Sequence, residues 1–211
     1  MSDAATQEAV NIYNDAMDLL GQKRIDAFDD TSPTSSQASG RFQRIARFCL
    51  GLYPWSWQIQ RLPLSRQAAA SATSYAYGYA ITGGGKILAV YDDADSERPF
   101  QPYRLIGSIV HADCEAVWAD VQSPDVYLGV QQWSPSFRMA VINSLAADAC
   151  MKNGGTRTEK ADLIASAHGP LGSSEYPRGG LIAAAAGEDG QQDGGGVMQL
   201  ANGRLVDARR S

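Results

Sequence analysis

Leu19-Leu20-Gly21-Gln22-Lys23-Arg24-Ile25-Asp26-Ala27-Phe28-Asp29-Asp30 is the stretch on which the reading of this 211-residue chain turns. It closes a helix, reverses the chain and returns Ile25 and Phe28 towards a core. Upstream, Ala9, Ile12, Tyr13, Ala16, Leu19 and Leu20 recur at helical spacing, which predicts an amphipathic helix over residues 4–20. Gly21 stands where a left-handed C-cap residue belongs, and Lys23 and Arg24 lie near the negative end of the helix dipole. The carboxylates Asp29 and Asp30 precede a Ser/Thr/Pro-rich loop over residues 31–40. On local physics alone the stretch is a helix terminus followed by a solvated turn.

Working outward, residues 40–53 read as a second helix with Phe42, Ile45, Ala46, Cys49, Leu50 and Tyr53 on one stripe. Arg41, Arg44 and Arg47 form the other stripe, either a solvated face or a subunit interface that meets an acidic partner. Pro54 stops the helix, and Trp55 and Trp57 are read as a core plug. Texture then changes to short apolar runs: residues 75–81 alternate, and 86–91, 103–111, 113–118 and 127–130 follow. Gly83-Gly84-Gly85 and Asp92-Asp93-Ala94-Asp95 supply turns, giving a small antiparallel β insertion over about 60–130. The triple glycine lacks the Lys-Ser/Thr pair and the helix of a phosphate loop.

Helical texture returns with Ser134 as N-cap and Pro135 in the first position, over residues 134–152. Asn153-Gly154-Gly155 ends that helix; Thr156 or Thr158 caps the next, over 156–168, before Gly169-Pro170 breaks it. From Gly179 onward the chain is rich in glycine and alanine, and residues 187–196 are too polar and glycine-dense to pack. Val197, Met198, Leu200, Leu205 and Val206, flanked by Arg204, Arg209 and Arg210, are able to pair around Asn202-Gly203. The expected fold is therefore mainly α within the α+β class. It is an antiparallel bundle of about four helices with a small β insertion, forming one domain over 1–176, and a flexible C-terminal arm over 177–211.

Composition narrows the function. With 44% apolar residues and a net charge of -5 the chain reads as a soluble globular protein, and mild acidity argues against a dedicated nucleic-acid binder. No apolar run approaches the roughly 20 residues that span a bilayer. Cys49, Cys114 and Cys150 are odd in number and far apart, and read as reduced and buried, in a reducing compartment. His111 and His168 have no partners at metal-ligand spacing, and His111 with Cys114 in an extended segment points to opposite faces. Neither a catalytic constellation nor a metal or other cofactor is called for, and the chain is read as a non-enzyme.

Taken in order, the pieces resemble a known family. The first helix ends in Leu19-Leu20-Gly21-x-x-Arg24-Ile25-x-x-Phe28-Asp29-Asp30, and the second carries Ala46-Arg47-x-Cys49-x-x-x-Tyr53-Pro54. Trp55-Ser56-Trp57, a tyrosine-alternating strand, a β insertion and a Ser-Pro-Ser-Phe helix rich in Leu-Ala-Ala follow. This resembles the head-to-tail adaptors (tail tubular protein A-like) of short-tailed and related bacteriophages, over about residues 5–176. It departs in the adjacency of Pro54 and Trp55, in Thr82-Gly83 where the family has Pro-Asp, and in the Gly169-Pro170 break.

The resemblance implies a structural protein of the virion neck, assembled in the host cytoplasm. It would form a homo-oligomeric ring, commonly of twelve subunits, on the portal protein and offer a platform to a downstream tail or nozzle protein. Genomic DNA would pass through the lumen without specific recognition, and no membrane is involved. The C-terminal arm would dock on the portal through Val197, Met198, Leu200, Arg204, Leu205, Val206, Arg209 and Arg210. Alternatives are another neck component (a stopper or tail-completion protein), the equivalent part of a gene transfer particle, or a tail-associated carbohydrate hydrolase. The last needs two carboxylates about 5–10 Å apart across a cleft.

Overall fold

A computed structural model of the chain describes residues 3–28, 33–67 and 73–192. The α-helices are α1 (Asp3–Asp18), α2 (Pro33–Leu50), α3 (Pro135–Cys150), α4 (Arg157–His168) and α5 (Gly180–Gln192). The strands are β1 (Ile59–Pro63), β2 (Ser65–Arg66), β3 (Tyr77–Ala80), β4 (Lys86–Tyr91), β5 (Arg104–Ile106), β6 (Ile109–Ala112) and β7 (Trp118–Gln122). They fall into two compact units: Met1–Trp57 with Val126–Ser211, which holds the helices, and Gln58–Asp125, which holds the strands.

The helical unit is built on α3. Ser134 caps it by accepting a bond from the Phe137 N–H at 3.3 Å, and Pro135 occupies its first turn. Phe137, Ala140, Val141, Ile142, Leu145, Ala146, Ala149 and Cys150 are all buried, so the helix is apolar on almost every side and needs neighbours all round. Each of α1, α2, α4 and α5 packs against it. A chain of aromatic rings runs through this core: Tyr13 to Phe28, Phe28 to Phe42, Phe42 to Trp133, Trp133 to Phe137, and Phe137 to Trp55 and Trp57. Centroid separations along it run from 4.6 Å for Trp55–Phe137 to 6.4 Å for Phe42–Trp133, within the range of favourable aromatic contacts.

The β unit contains a three-stranded sheet in the order β1-β7-β4 and a four-stranded sheet in the order β2-β3-β6-β5, every pairing antiparallel. Alternation turns Ala119 and Val121 of β7 inward, where they join Leu64, Tyr79, Val90, Val110, Ala112 and Val117 in one core. Gly85 enters β4 at φ 119°; a Cβ there would lie 2.5 Å from Val121 Cγ1 and 2.8 Å from the Gln122 carbonyl, so only glycine fits. Arg61 on β1 locks the turn after β4. Its guanidinium forks onto Asp120 at 2.9 and 3.2 Å, donates to the Ala94 and Ser96 carbonyls at 3.0 and 2.8 Å, and stacks 3.7 Å from the centre of the Tyr91 ring. Tyr91 also donates to Asp120 at 2.7 Å, and burial together with that bond pushes its hydroxyl up to about 12.

This architecture corrects the expected one. Among the described residues there are five α-helices, not about four, and seven strands in two sheets with a core of their own, not a small insertion in a bundle. Each short apolar run looks minor by itself. Pairing across the chain, as in β1 with β7, turns them into a second unit. The extended arm expected from 177 is instead α5 as far as Gln192, with Ile182, Ala185 and Ala186 buried. Alanine is the best helix former, and packing against α3 and α4 outweighs the roughly 1 kcal/mol that each helical glycine costs. Likewise α2 begins at Pro33 and takes in most of the expected loop, because proline suits a first turn.

Ile182→Ala should therefore cost about 2–5 kcal/mol of stability in urea unfolding, whereas Leu105→Ala, on an exposed edge strand, should change it by less than about 0.5 kcal/mol. Equal, small effects would mean that α5 is not packed.

Candidate functional site

The residues that carry the family resemblance form the joint between α1 and α2. Helix α1 ends in a Schellman turn: Gln22 N–H donates to the Met17 carbonyl at 3.0 Å, Gly21 N–H donates to Asp18 at 3.0 Å, and Gly21 adopts φ 64°. Arg24 folds back on Asp18, with Nε 3.1 Å from Oδ2. Asn14 then clamps the descending chain at both ends of one residue: its Nδ2 donates to the Ile25 carbonyl and its Oδ1 accepts from the Ile25 N–H, each at 2.9 Å. With the backbone fixed there, Ile25 and Phe28 pack on the core, and Phe28 bridges Tyr13 of α1 and Phe42 of α2. Asp29 and Asp30 lie outside the described residues.

Of the arginine stripe on α2, two members are engaged within the chain. Arg41 Nε is 3.1 Å and an Arg44 terminal nitrogen 2.8 Å from Asp148 Oδ2 of α3. Arg47 is exposed. Val197, Met198, Leu200, Arg204, Leu205, Val206, Arg209 and Arg210, expected to dock on a portal, lie outside the described residues.

A buried polar cluster escaped the sequence reading. Ser144 Oγ lies 2.7 Å from His168 Nε2, 2.6 Å from the Ala140 carbonyl and 3.9 Å from Cys49 Sγ, and His168 Nδ1 is 3.1 Å from the Pro177 carbonyl. A serine against a histidine suggests a nucleophile and its base, but here the histidine is oriented by a carbonyl, not a carboxylate. The hydroxyl's single proton is divided between Ala140 and Nε2, and Ser144 and His168 are both buried. Burial pushes the Cys49 thiol up to about 12, far from a reactive thiolate. What the cluster does is tie α2, α3 and α4 to the 169–179 connection. Its signal in the sequence is slight: Ser144 is one of a few polar residues in a largely apolar helix.

Two open grooves flank α4. The larger, about 670 Å³, is bordered by Leu19, Leu20, Asn143, Glu159, Asp162 and Leu163. Of its two carboxylates, Glu159 is engaged in a capping box. It accepts from Thr156 N–H at 2.7 Å and from the Thr156 hydroxyl at 3.0 Å, and those bonds hold its carboxyl below the usual range. The smaller groove, about 310 Å³, opens beside Met151 and Leu171. No group of three or more metal-ligating side chains occurs among the described residues, and none of their helices is long and apolar enough to cross a membrane. The chain matches no known protein-family model and no curated protein sequence.

Asn14→Ala leaves the partly buried Ile25 backbone without its clamp and should lower stability by about 1–3 kcal/mol in chemical denaturation. His168 gives a pH signature. Burial, opposed by its bond to Pro177, holds its folded pKa below the ordinary 6.5. The unfolded chain therefore binds the proton more tightly, and the stability contribution, present above about 6.5, is lost as pH falls through the folded value. Unfolding free energy should fall between about pH 7.5 and 5.5 in wild type and fall less steeply in His168→Gln, read from urea titrations at each pH. Identical slopes would assign the dependence elsewhere.

Proposed function

We propose that this chain is a structural protein of the bacteriophage neck, a head-to-tail adaptor that assembles as a ring on the portal protein and presents a platform to the tail. One observation carries the reading: four residues of the resembling segment, Gly21, Arg24, Ile25 and Phe28, have mechanical tasks in the joint between α1 and α2. Gly21 makes the left-handed turn, Arg24 returns to Asp18, Ile25 is held by Asn14, and Phe28 locks two helices. A segment specified at that level sets the angle at which two helices leave a core. A ring subunit needs such rigidity, since closure depends on the same rotation at each heterologous contact.

Further support comes from the order of elements after the joint. Trp55 and Trp57 close the helical core, the β unit follows, and a Ser-Pro-capped helix resumes. Arg47 and the exposed part of Arg44 are available to an acidic neighbour, while Arg41 and Asp148 stiffen the face that bears them. A net charge of -5 suits a lumen through which DNA slides without being held.

The test is to mix the purified chain with the portal protein encoded by the same genome and to image the product by electron microscopy. A ring on the portal is expected, of about twelve copies as the resemblance implies, with a heterologous contact whose rotation closes. Truncation after Gln192 keeps the five described helices and removes the arginine-bearing terminus. It should lower portal affinity by about tenfold or more. Absence of any complex would overturn the adaptor reading, and unchanged affinity of the truncated chain would remove the docking role of the terminus.

A further inference from the structure

Helix α4 presents Arg157, Lys160, Ala161 and Ile164, spaced i, i+3, i+4 and i+7, to the smaller groove, which Met151 and Leu171 complete. Met151 is 49% and Leu171 57% exposed, large apolar surface for side chains on one groove. The groove also carries two cations. On the same unit Arg24, Arg41, Arg44 and Arg138 each face an aspartate or glutamate, whereas no ion pair among the described residues involves Arg157 or Lys160. Apolar surface and unspent positive charge thus coincide on one face of one helix, in a chain whose net charge is -5.

We propose that this groove is the docking site for an acidic amphipathic helix of a partner protein, with its apolar residues laid between Met151, Ile164 and Leu171 and its carboxylates on Arg157 and Lys160. The lining residues span two turns of α4, about 10 Å, which matches the contact that two turns of a partner helix make in a groove. Charge complementarity selects the partner: the carboxylates of an acidic segment meet Arg157 and Lys160 at the groove. The inference stands on the groove alone and does not depend on the role of the neck.

Fluorescence anisotropy of the full chain with a labelled helical peptide of about 15 residues, built from Leu and Glu with leucines on one face, tests it. Saturable binding is expected, weakened severalfold at about 0.5 M salt because the contact is partly ionic. The double variant Arg157→Glu/Lys160→Glu and the single variant Leu171→Asp should each weaken it by about tenfold, with thermal unfolding unchanged because these side chains lie at the surface. The proposal is overturned if the peptide fails to bind, if a Leu/Lys peptide binds as well, or if both variants bind like wild type. It is equally overturned if sedimentation shows a wild-type dimer that Leu171→Asp dissociates, since the groove would then be covered by another copy.

Discussion

The burial of α3 on nearly all sides is the constraint from which the helical unit follows. A helix with apolar residues on nearly every side gains most from burial, so α1, α2, α4 and α5 are drawn around it. Its alanines, Ala140, Ala146, Ala147 and Ala149, allow close approach, and its few large side chains, Phe137 and Leu145 above all, fill what remains. At each end the polar requirements are met by other elements. Ser136 at the start donates to Glu188 of α5 at 2.5 Å, Arg138 pairs with Glu8 and Asp15 of α1, and Asp148 near the end gathers Arg41 and Arg44. Glu188, held below the usual carboxylate range by Ser134 and Ser136, also places negative charge where the dipole of α3 is positive.

Seen from α3, the resembling segment and the polar cluster are two solutions to one problem, how to attach a chain to a helix whose buried surface is mostly apolar. At the α1–α2 joint the answer is an asparagine on α1 that satisfies the backbone of Ile25, so that Phe28 can join the aromatic chain without burying an unpaired amide. Near the other end Ser144 lends α3 one polar atom, and through His168 it fixes the Pro177 carbonyl and with it the path into α5. Both devices fix a stretch of backbone between two helices.

The β unit solves its own problem separately. A two-sheet unit of short strands has little area per strand, and Arg61 compensates by using three of its nitrogens on one carboxylate and two carbonyls while covering Tyr91. The ends of the unit are tied side by side, Ser123 N–H donating to the Gln58 carbonyl at 2.9 Å and the Gln58 side chain donating to the Asp125 carbonyl at 3.3 Å. Such closure lets a β unit interrupt a helical sequence without disturbing it.

What the sequence by itself determined was whatever depends on neighbours a few residues apart: the periodic stripe of α1, the left-handed Gly21, Ser134 ahead of Pro135, a threonine cap at 156 or 158, and the change of texture into strands. The resemblance, too, rests on such local order. Tertiary structure alone decided the rest. A run of alanines and glycines at 180–192 reads as a tether until Ile182 and Ala185 have α3 and α4 to pack against. The strands remained a minor insertion on paper because the partners of β1 and β3 lie far along the chain, in β7 and β6. Asn14 with Ile25, Ser144 with His168 and Arg61 with Asp120 are 11, 24 and 59 residues apart, and no periodicity links them. Local pattern selects elements because it fixes dihedrals and faces. Which faces meet is settled by long-range burial, where the free energy of the fold resides.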